Sequence, residues 1–328
     1  MLTTYPSIAI SGIGSVTITI VQSLYQNKIP FQILCRNQTR FLSLKNSPIG
    51  FQGPNGKLVQ FELTDHLTMI QDNQEKFDYI FIGCKNQNLS EYLEETKSLL
   101  KPNGKWILIQ NGIPEQQFKS YKNKIIGGVV GWNTQTLSNH TYYQSNVGSL
   151  ILGDVTGTKP DPLWNQILSP YIPVVLTDKL SGYRWHKLAI NSIINGLAAS
   201  KQLSLGELFL NRKSRSEALE TLTEIKLLMN QLQIKEQVVP GSFSIQKLGE
   251  GPGSLPRWIS HLILILLGLK YFKIRTSMVQ DLDARRKTEI EFINGEVVKT
   301  AKELGIPVPR NEWIVLKVKE LEESNNTR

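Results

Sequence analysis

The sequence predicts an α/β protein in two parts. A parallel sheet with crossover helices runs to about residue 178, and an all-helical region occupies 179–328. Three observations predict this. Short apolar runs alternate with helical patterns through the first third. A glycine turn follows the first of those runs. After Lys179 the strand signals stop, and long helical periodicities continue to the end.

The elements follow in order. "SIAISGIG" (7–14) reads as a strand ending in glycines. "SVTITIVQSLYQNK" (15–28) suits an amphipathic helix, although Thr17 to Ile20 also suit a strand. "PFQILCRN" (30–37), "FDYIFIGCK" (77–85) and "WILIQNG" (106–112) are further strands. "SEYLEETKSLLKPNGK" (90–105) reads as a helix stopped by Pro-Asn-Gly. "GFQGPNGKLVQFEL" (50–63) looks like a hairpin around Pro-Asn-Gly. Strand signals continue through 124–178, and helical patterns then cover 180–202, 214–234, 256–272, 287–304 and 309–322. In the fourth of these, Thr288 and Glu289 begin a helix that Gly295 does not stop.

Composition narrows the function classes. With 328 residues, 40% hydrophobic and 20% charged, the chain matches a soluble globular protein able to bury a sizeable core. Cys35 and Cys84 lie in apolar runs and suggest neither a disulfide framework nor a metal site; they fit a reducing cytosol. No secretory leader pattern is visible, so a cytoplasmic location is expected. "WISHLILILLGLKYF" (258–272) is shorter than the roughly 20 residues a membrane span needs, and a buried helix is expected there. The net charge of +9 comes without a Lys/Arg run, zinc-finger spacing or RNA-binding aromatic strand, which argues against nucleic acid. A homodimer is compatible with the sequence, which does not set the oligomeric state.

"GIGSVT" (12–17) follows a strand and opens a helix, the context of a dinucleotide-binding loop spanning Gly12, Ile13, Gly14 and Ser15. Gly12 would make the tight turn, and Gly14 would let the backbone approach a pyrophosphate at the helix N-terminus. Thr17 stands where the third glycine of the pattern belongs. An acidic residue about 20 positions on normally binds the ribose 2′-hydroxyl, yet the first acidic residue of this chain is Glu62. The second strand ends instead in "CRNQTR", where Arg36 is the better placed of two arginines to grip a 2′-phosphate. NADPH is therefore favoured over NADH. Lys85 and Asn111 follow strands, at the ends where ligands bind in such sheets.

In "WHKLAINSIINGLAAS" (185–200), Lys187, Asn191 and Asn195 recur every fourth residue. With Lys187 at zero on a helical wheel, the asparagines fall near about 40 and 80 degrees, a narrow polar stripe beside an aliphatic face. A wet helix side would explain it. Amides, which both donate and accept, also suit a small polar substrate.

"WHKLAINSIINGLAA" and "TSMVQDLDARRKTEIEFINGEVVKTAKELGIPVPRN", together with "GIGSVT" and "IQNGI", resemble the ketopantoate reductase family in order and over nearly the whole chain. The resemblance implies a Rossmann-type N-terminal domain, a helical C-terminal domain, an active site in the cleft, and NADPH-dependent reduction of a 2-keto acid. It implies a catalytic role for Lys187 and engagement of the substrate hydroxyl by Glu289. It also implies substrate binding by Asn191, Asn195, Ser277 and Asn111, with cofactor contacts from Lys85, Arg36 and again Asn111. A protonated lysine can stabilise the oxygen that gains charge on hydride attack and then donate its proton. A paralogue acting on another 2-keto acid, or a non-catalytic NADPH-binding protein, is the alternative. Retention of Lys187, Asn191, Asn195, Ser277 and Glu289 together argues against the latter.

Overall fold

A computed structural model describes residues 5–138 and 140–326. The chain forms two compact units. One takes the residues up to Gln110, Pro114–Leu180 and Val239–Gly241; the other takes Asn111–Ile113, Ser181–Val238 and the chain from Ser242.

In chain order the first unit carries β1 (Ile8–Ser11), α1 (Thr17–Gln26), β2 (Phe31–Cys35), α2 (Gln38–Lys45), β3 (Ile49–Gln52), β4 (Leu58–Phe61), β5 (Leu67–Met69) and β6 (Phe77–Ile82). Then come α3 (Leu89–Lys97), β7 (Leu100–Leu108), β8 (Ile125–Val130), β9 (Asn133–Ser138), β10 (Thr141–Asn146), β11 (Leu150–Asp154), α4 (Leu163–Leu168) and β12 (Val174–Thr177). The main sheet has the order β12-β11-β8-β7-β6-β1-β2-β5. All its pairings are parallel except β8 with β11. Strand order reverses between β1 and β6, the switch point at which open α/β sheets bind ligands. Both faces are covered. Ile8, Ile10, Phe81 and Ile107 enter one core; Ala9, Ile80, Ile82, Trp106 and Leu108 enter another with Leu89 and Leu93 of α3. Burial on both sides explains why these strands read as continuous apolar runs.

One expectation is corrected here and another is met. The helix expected over 90–105 ends at Lys97, and Pro102-Asn103-Gly104 lies within β7, where the register with β6 shifts. A side chain at Gly104 would sit against the Phe77 carbonyl oxygen, so this glycine serves close strand approach rather than a helix stop. The hairpin over 50–63 does form, as β3 and β4, but it belongs to a separate sheet of order β4-β3-β10-β9.

The second unit is helical: α5 (Leu180–Asn191, its first residue in the other unit), a π-helical turn (Ser192–Leu197), α6 (Ala198–Lys201), α7 (Leu205–Leu210), α8 (Arg212–Gln231), α9 (Arg257–Lys270), α10 (Ser277–Asp283), α11 (Asn294–Leu304) and α12 (Pro309–Asn326). Leu188, Ile193, Leu197, Leu222, Ile225, Val297 and Ile314 form its core. The helix expected from Thr288 begins only at Asn294. A 3-10 turn (Ile290–Phe292) precedes it, and Ile293 has φ −113° and ψ −94°, which no helix accommodates. α9 is not the buried helix expected. Ser260, Leu264 and Gly268 face inward, while Trp258, Leu262, Leu266 and Leu269 are exposed. No helix among the described residues is long and apolar enough to cross a membrane.

The π-turn has a tertiary cause. Gly196 faces Asn294, and a Cβ there would overlap the Asn294 amide. That amide donates to the Ser192 carbonyl at 3.4 Å and to Asn311 Oδ1 at 2.9 Å; Asn311 in turn donates to Glu224 Oε2 at 2.7 Å. A side chain reaching a main-chain carbonyl is a known cause of helix irregularity. Gly196→Ala is expected to displace Asn294 and cost about 1–3 kcal/mol as overpacking of a filled site, read as a lowered urea midpoint with an unchanged slope.

Candidate active site

In the first unit the predicted loop, Gly12 to Ser15, leaves β1 at the switch point. Gly12 has φ +95°, and a Cβ on it would lie 3.4 Å from the Gly83 carbonyl and 3.5 Å from Tyr92. Thr17 fits without a third glycine because room is made from the other side. A Cβ at Gly83, just after β6, would overlap the Gly12 oxygen and come within 2.7 Å of Thr17 Cγ2. The Thr17 hydroxyl accepts from the Gly14 amide at 2.8 Å and donates toward Gly12 O at 3.0 Å, bracing the loop. The α1 N-cap, Val16, provides no side-chain cap, and the first turn holds no acidic residue, so this helix end remains suited to an anion. Arg36 follows β2 and Lys85 follows β6, so the predicted first-unit positions lie at the carboxyl ends of three adjacent strands. Arg36 is engaged by Glu91 and Glu95 of α3, at 2.6 Å in each case. Gln110, which sequence reading passed over, ties β7 to β6 by donating to the carbonyls of Ile82 (2.7 Å) and Cys84 (3.0 Å).

In the second unit Lys187, Asn191, Asn111 and Glu289 come together. Asn111 Nδ2 donates to Glu289 Oε2 at 3.3 Å, and Asn191 Nδ2 approaches Asn111 Oδ1 at 3.5 Å. Gly112 makes the approach possible. It has φ +79°, and a Cβ there would overlap the Phe292 carbonyl oxygen, three residues beyond Glu289. Desolvation by burial pushes the Lys187 ammonium down to about 8; Arg184, one turn earlier, adds to the fall, and Glu289 opposes it. Arg184 is buried and was not singled out from sequence.

The polar stripe is not a wet helix side. Asn191 and Asn195 are only 7% and 8% exposed. The uniform wheel fails after Asn191 because the π-turn begins at Ser192. Asn195 lies within that turn, and its amide has no hydrogen-bond partner among the described residues. Ser277 opens α10, which packs against the π-turn, but it is exposed and no hydrogen bond joins it to the Lys187 group.

Beside Lys187 stands a second constellation that the sequence did not signal. His186 is wholly buried; its Nδ1 lies 2.6 Å from Glu236 Oε1 and its Nε2 2.7 Å from Ser242 Oγ. Ser244 Oγ and the Ile245 amide also donate to Glu236. The segment crosses α5 at Gly182, where a Cβ would overlap the Lys235 carbonyl. The clip thus holds Lys235, Glu236 and Ser242 on the helix that carries Lys187.

A doubly covered sheet with its switch-point loop, joined to a helical unit bearing a desolvated lysine, defines the class of two-part Rossmann-type proteins. Residues 8–157 match the family described as ketopantoate reductase PanE/ApbA, and residues 179–322 match ketopantoate reductase PanE/ApbA C terminal. The chain belongs to the ketopantoate reductase family. It is 25% identical over 254 residues to the 2-dehydropantoate 2-reductase of Pyrococcus abyssi, covering 75% of this chain and 77% of that one. In fold it resembles the PanE/ApbA family ketopantoate reductase of Ralstonia eutropha JMP134 (TM-score 0.79, 17% identity, 98% of this chain and 99% of that one). It likewise resembles a D-mandelate dehydrogenase solved with NADH and anilino(oxo)acetate (TM-score 0.78, 19% identity, 98% and 99%).

Burial pushes the Glu236 carboxyl up, but the hydrogen bonds from His186, Ser244 and Ile245 outweigh it and hold the group below the usual carboxylate value. Its contribution to stability is therefore complete above the unfolded value of about 4.5 and is lost as pH falls through the lower folded value. Glu236→Ala, which leaves the donors and His186 without their acceptor, is expected to cost about 3 kcal/mol in urea denaturation at neutral pH. The difference from wild type should shrink on acidification.

Proposed function

We propose that the protein reduces 2-dehydropantoate to pantoate with NADPH, supplying pantothenate and coenzyme A synthesis. The observation that carries this is the group of Lys187, Glu289, Asn111 and Asn191, centred on an ammonium whose pKa lies at about 8. Membership of the family over both parts of the chain and the names of its relatives support it. The glycine loop suits a nicotinamide dinucleotide: the backbone is bare at Gly12 and Gly14, and the end of α1 carries no competing acid.

The dinucleotide supplies the hydride. The chain's own groups do the rest. Lys187 Nζ, charged at neutral pH, stabilises the carbonyl oxygen as it gains negative charge and gives it a proton, leaving a neutral amine that solvent reprotonates. Glu289 keeps that ammonium charged against the desolvation that lowers its pKa. Asn111, tied to Glu289, and Asn191 and Asn195 orient the substrate's polar groups, and Ser277 receives its carboxylate. Positioning of this kind contributes several kcal/mol to the barrier.

The reading is tested by NADPH oxidation with purified protein and 2-dehydropantoate, beside NADH and other 2-keto acids. Fast turnover selective for 2-dehydropantoate is expected. Activity confined to another keto acid would replace the substrate. Lys187→Ala should lower kcat by about 10²- to 10⁴-fold, the range for loss of a positioned acid, with NADPH binding nearly intact. Since the acid must be protonated, the rate of reduction should be level below pH 8 and fall above it, following the lysine value of about 8. A flat profile to pH 10 would remove Lys187 from the proton transfer. Arg36→Ala should weaken NADPH by about tenfold or more, as expected for a lost charge-assisted phosphate contact, and hardly alter NADH.

A further inference from the structure

Arg36 stands at the end of β2, and its guanidinium is already gripped. Nε lies 2.6 Å from Glu95 Oε2, while Nη2 lies 2.7 Å from Glu95 Oε1 and 2.6 Å from Glu91 Oε1. Its plane rests over the Tyr92 ring, with Cζ 4.3 Å from the centroid. The three partners belong to α3, and the two glutamates are one helical turn apart on one face. Tyr92 also borders the glycine loop, since a Cβ on Gly12 would lie 3.5 Å from its ring. A single helix of the first unit therefore fixes Arg36 beside that loop.

The electrostatic consequence is specific. One guanidinium between two carboxylates leaves the trio with a net charge of minus one. A 2′-phosphate, dianionic or nearly so, meets the repulsion of both carboxylates and must displace one of them from the fork. A 2′-hydroxyl is neutral and can donate to a carboxylate instead. The arginine alone favours the phosphorylated dinucleotide; its two partners oppose that preference.

We propose that Glu91 and Glu95 are specificity-determining residues that restrain Arg36 and lower the affinity for NADPH relative to NADH. The proposal rests on the dinucleotide reading given above. It makes cofactor choice a balance between β2 and α3 rather than a property of Arg36 alone.

The test is direct binding of NADPH and of NADH to the full-length protein by titration calorimetry. The variants are Glu95→Gln, Glu91→Gln, the double variant, and Glu94→Gln as a control. Glutamine keeps the side-chain length and removes only the charge. Glu94 belongs to the same helix but bonds Tyr121 and Lys97, away from Arg36. Glu95→Gln should tighten NADPH by about fivefold and the double variant by about tenfold or more, with NADH constant within about twofold; the gain should shrink with added salt. NADPH binding that is unchanged or weaker in the double variant overturns the proposal. So does a parallel change in both dinucleotides, or an equal gain in Glu94→Gln, which would report bulk charge. Wild-type protein that binds neither dinucleotide would defeat the functional reading itself. Wild type that binds both, at a ratio indifferent to Glu91 and Glu95, would defeat only this proposal.

Discussion

An ammonium drawn out of water must be compensated, and in the helical unit Glu289 meets that demand at Lys187. Its neighbours act in opposite directions. Burial and Arg184 favour the neutral amine, while Glu289 favours the charged one. The balance leaves a group that is charged at neutral pH yet gives up its proton readily. Glu289 is held by Asn111, and Asn111 reaches it only because Gly112 adopts a left-handed conformation against the Phe292 carbonyl. A carboxylate left to rotate freely would be a weaker counterweight. The backbone conformation of one glycine thus bears on the acidity of a lysine 75 positions along the chain.

The first unit solves a different problem, close approach of main chain to main chain. The familiar pattern places three glycines in one loop. Here two remain, and Gly83, just after the neighbouring strand β6, leaves the room that the third would have freed. The side chain admitted in exchange is useful. The Thr17 hydroxyl engages both Gly14 and Gly12, which stiffens a turn that glycines alone would leave loose.

Much of the fold was legible because burial writes itself into local periodicity. The runs at Ile8–Ser11, Phe31–Cys35 and Phe77–Ile82 are apolar on both faces, as strands between two helical layers must be. The stripe of Lys187, Asn191 and Asn195 was legible as a spacing, but its geometry was not. The π-turn that rearranges it depends on Asn294, 102 residues beyond Ser192. Arg36 could be chosen as a strand-end cation, yet the carboxylate of Glu95 comes from 59 residues away and has no local signature. The His186–Glu236 clip, 50 residues across, is hidden in the same way. Exposure of one α9 face escaped as well, since an apolar run does not say how many of its sides find partners.

The placement of Asn111–Ile113 with the helical unit has a consequence for synthesis and for dissection of the protein. As the chain leaves the ribosome, Asn111 emerges 178 residues ahead of the glutamate it will bind. The helical unit is therefore assembled from an early tripeptide and a late half, and its last contacts form only when nearly the whole chain has been made. A fragment begun near residue 180 would retain Lys187, Asn191 and Glu289 but would lack the amide that joins two of them. The two units are therefore interleaved along the chain, and no single cut separates them.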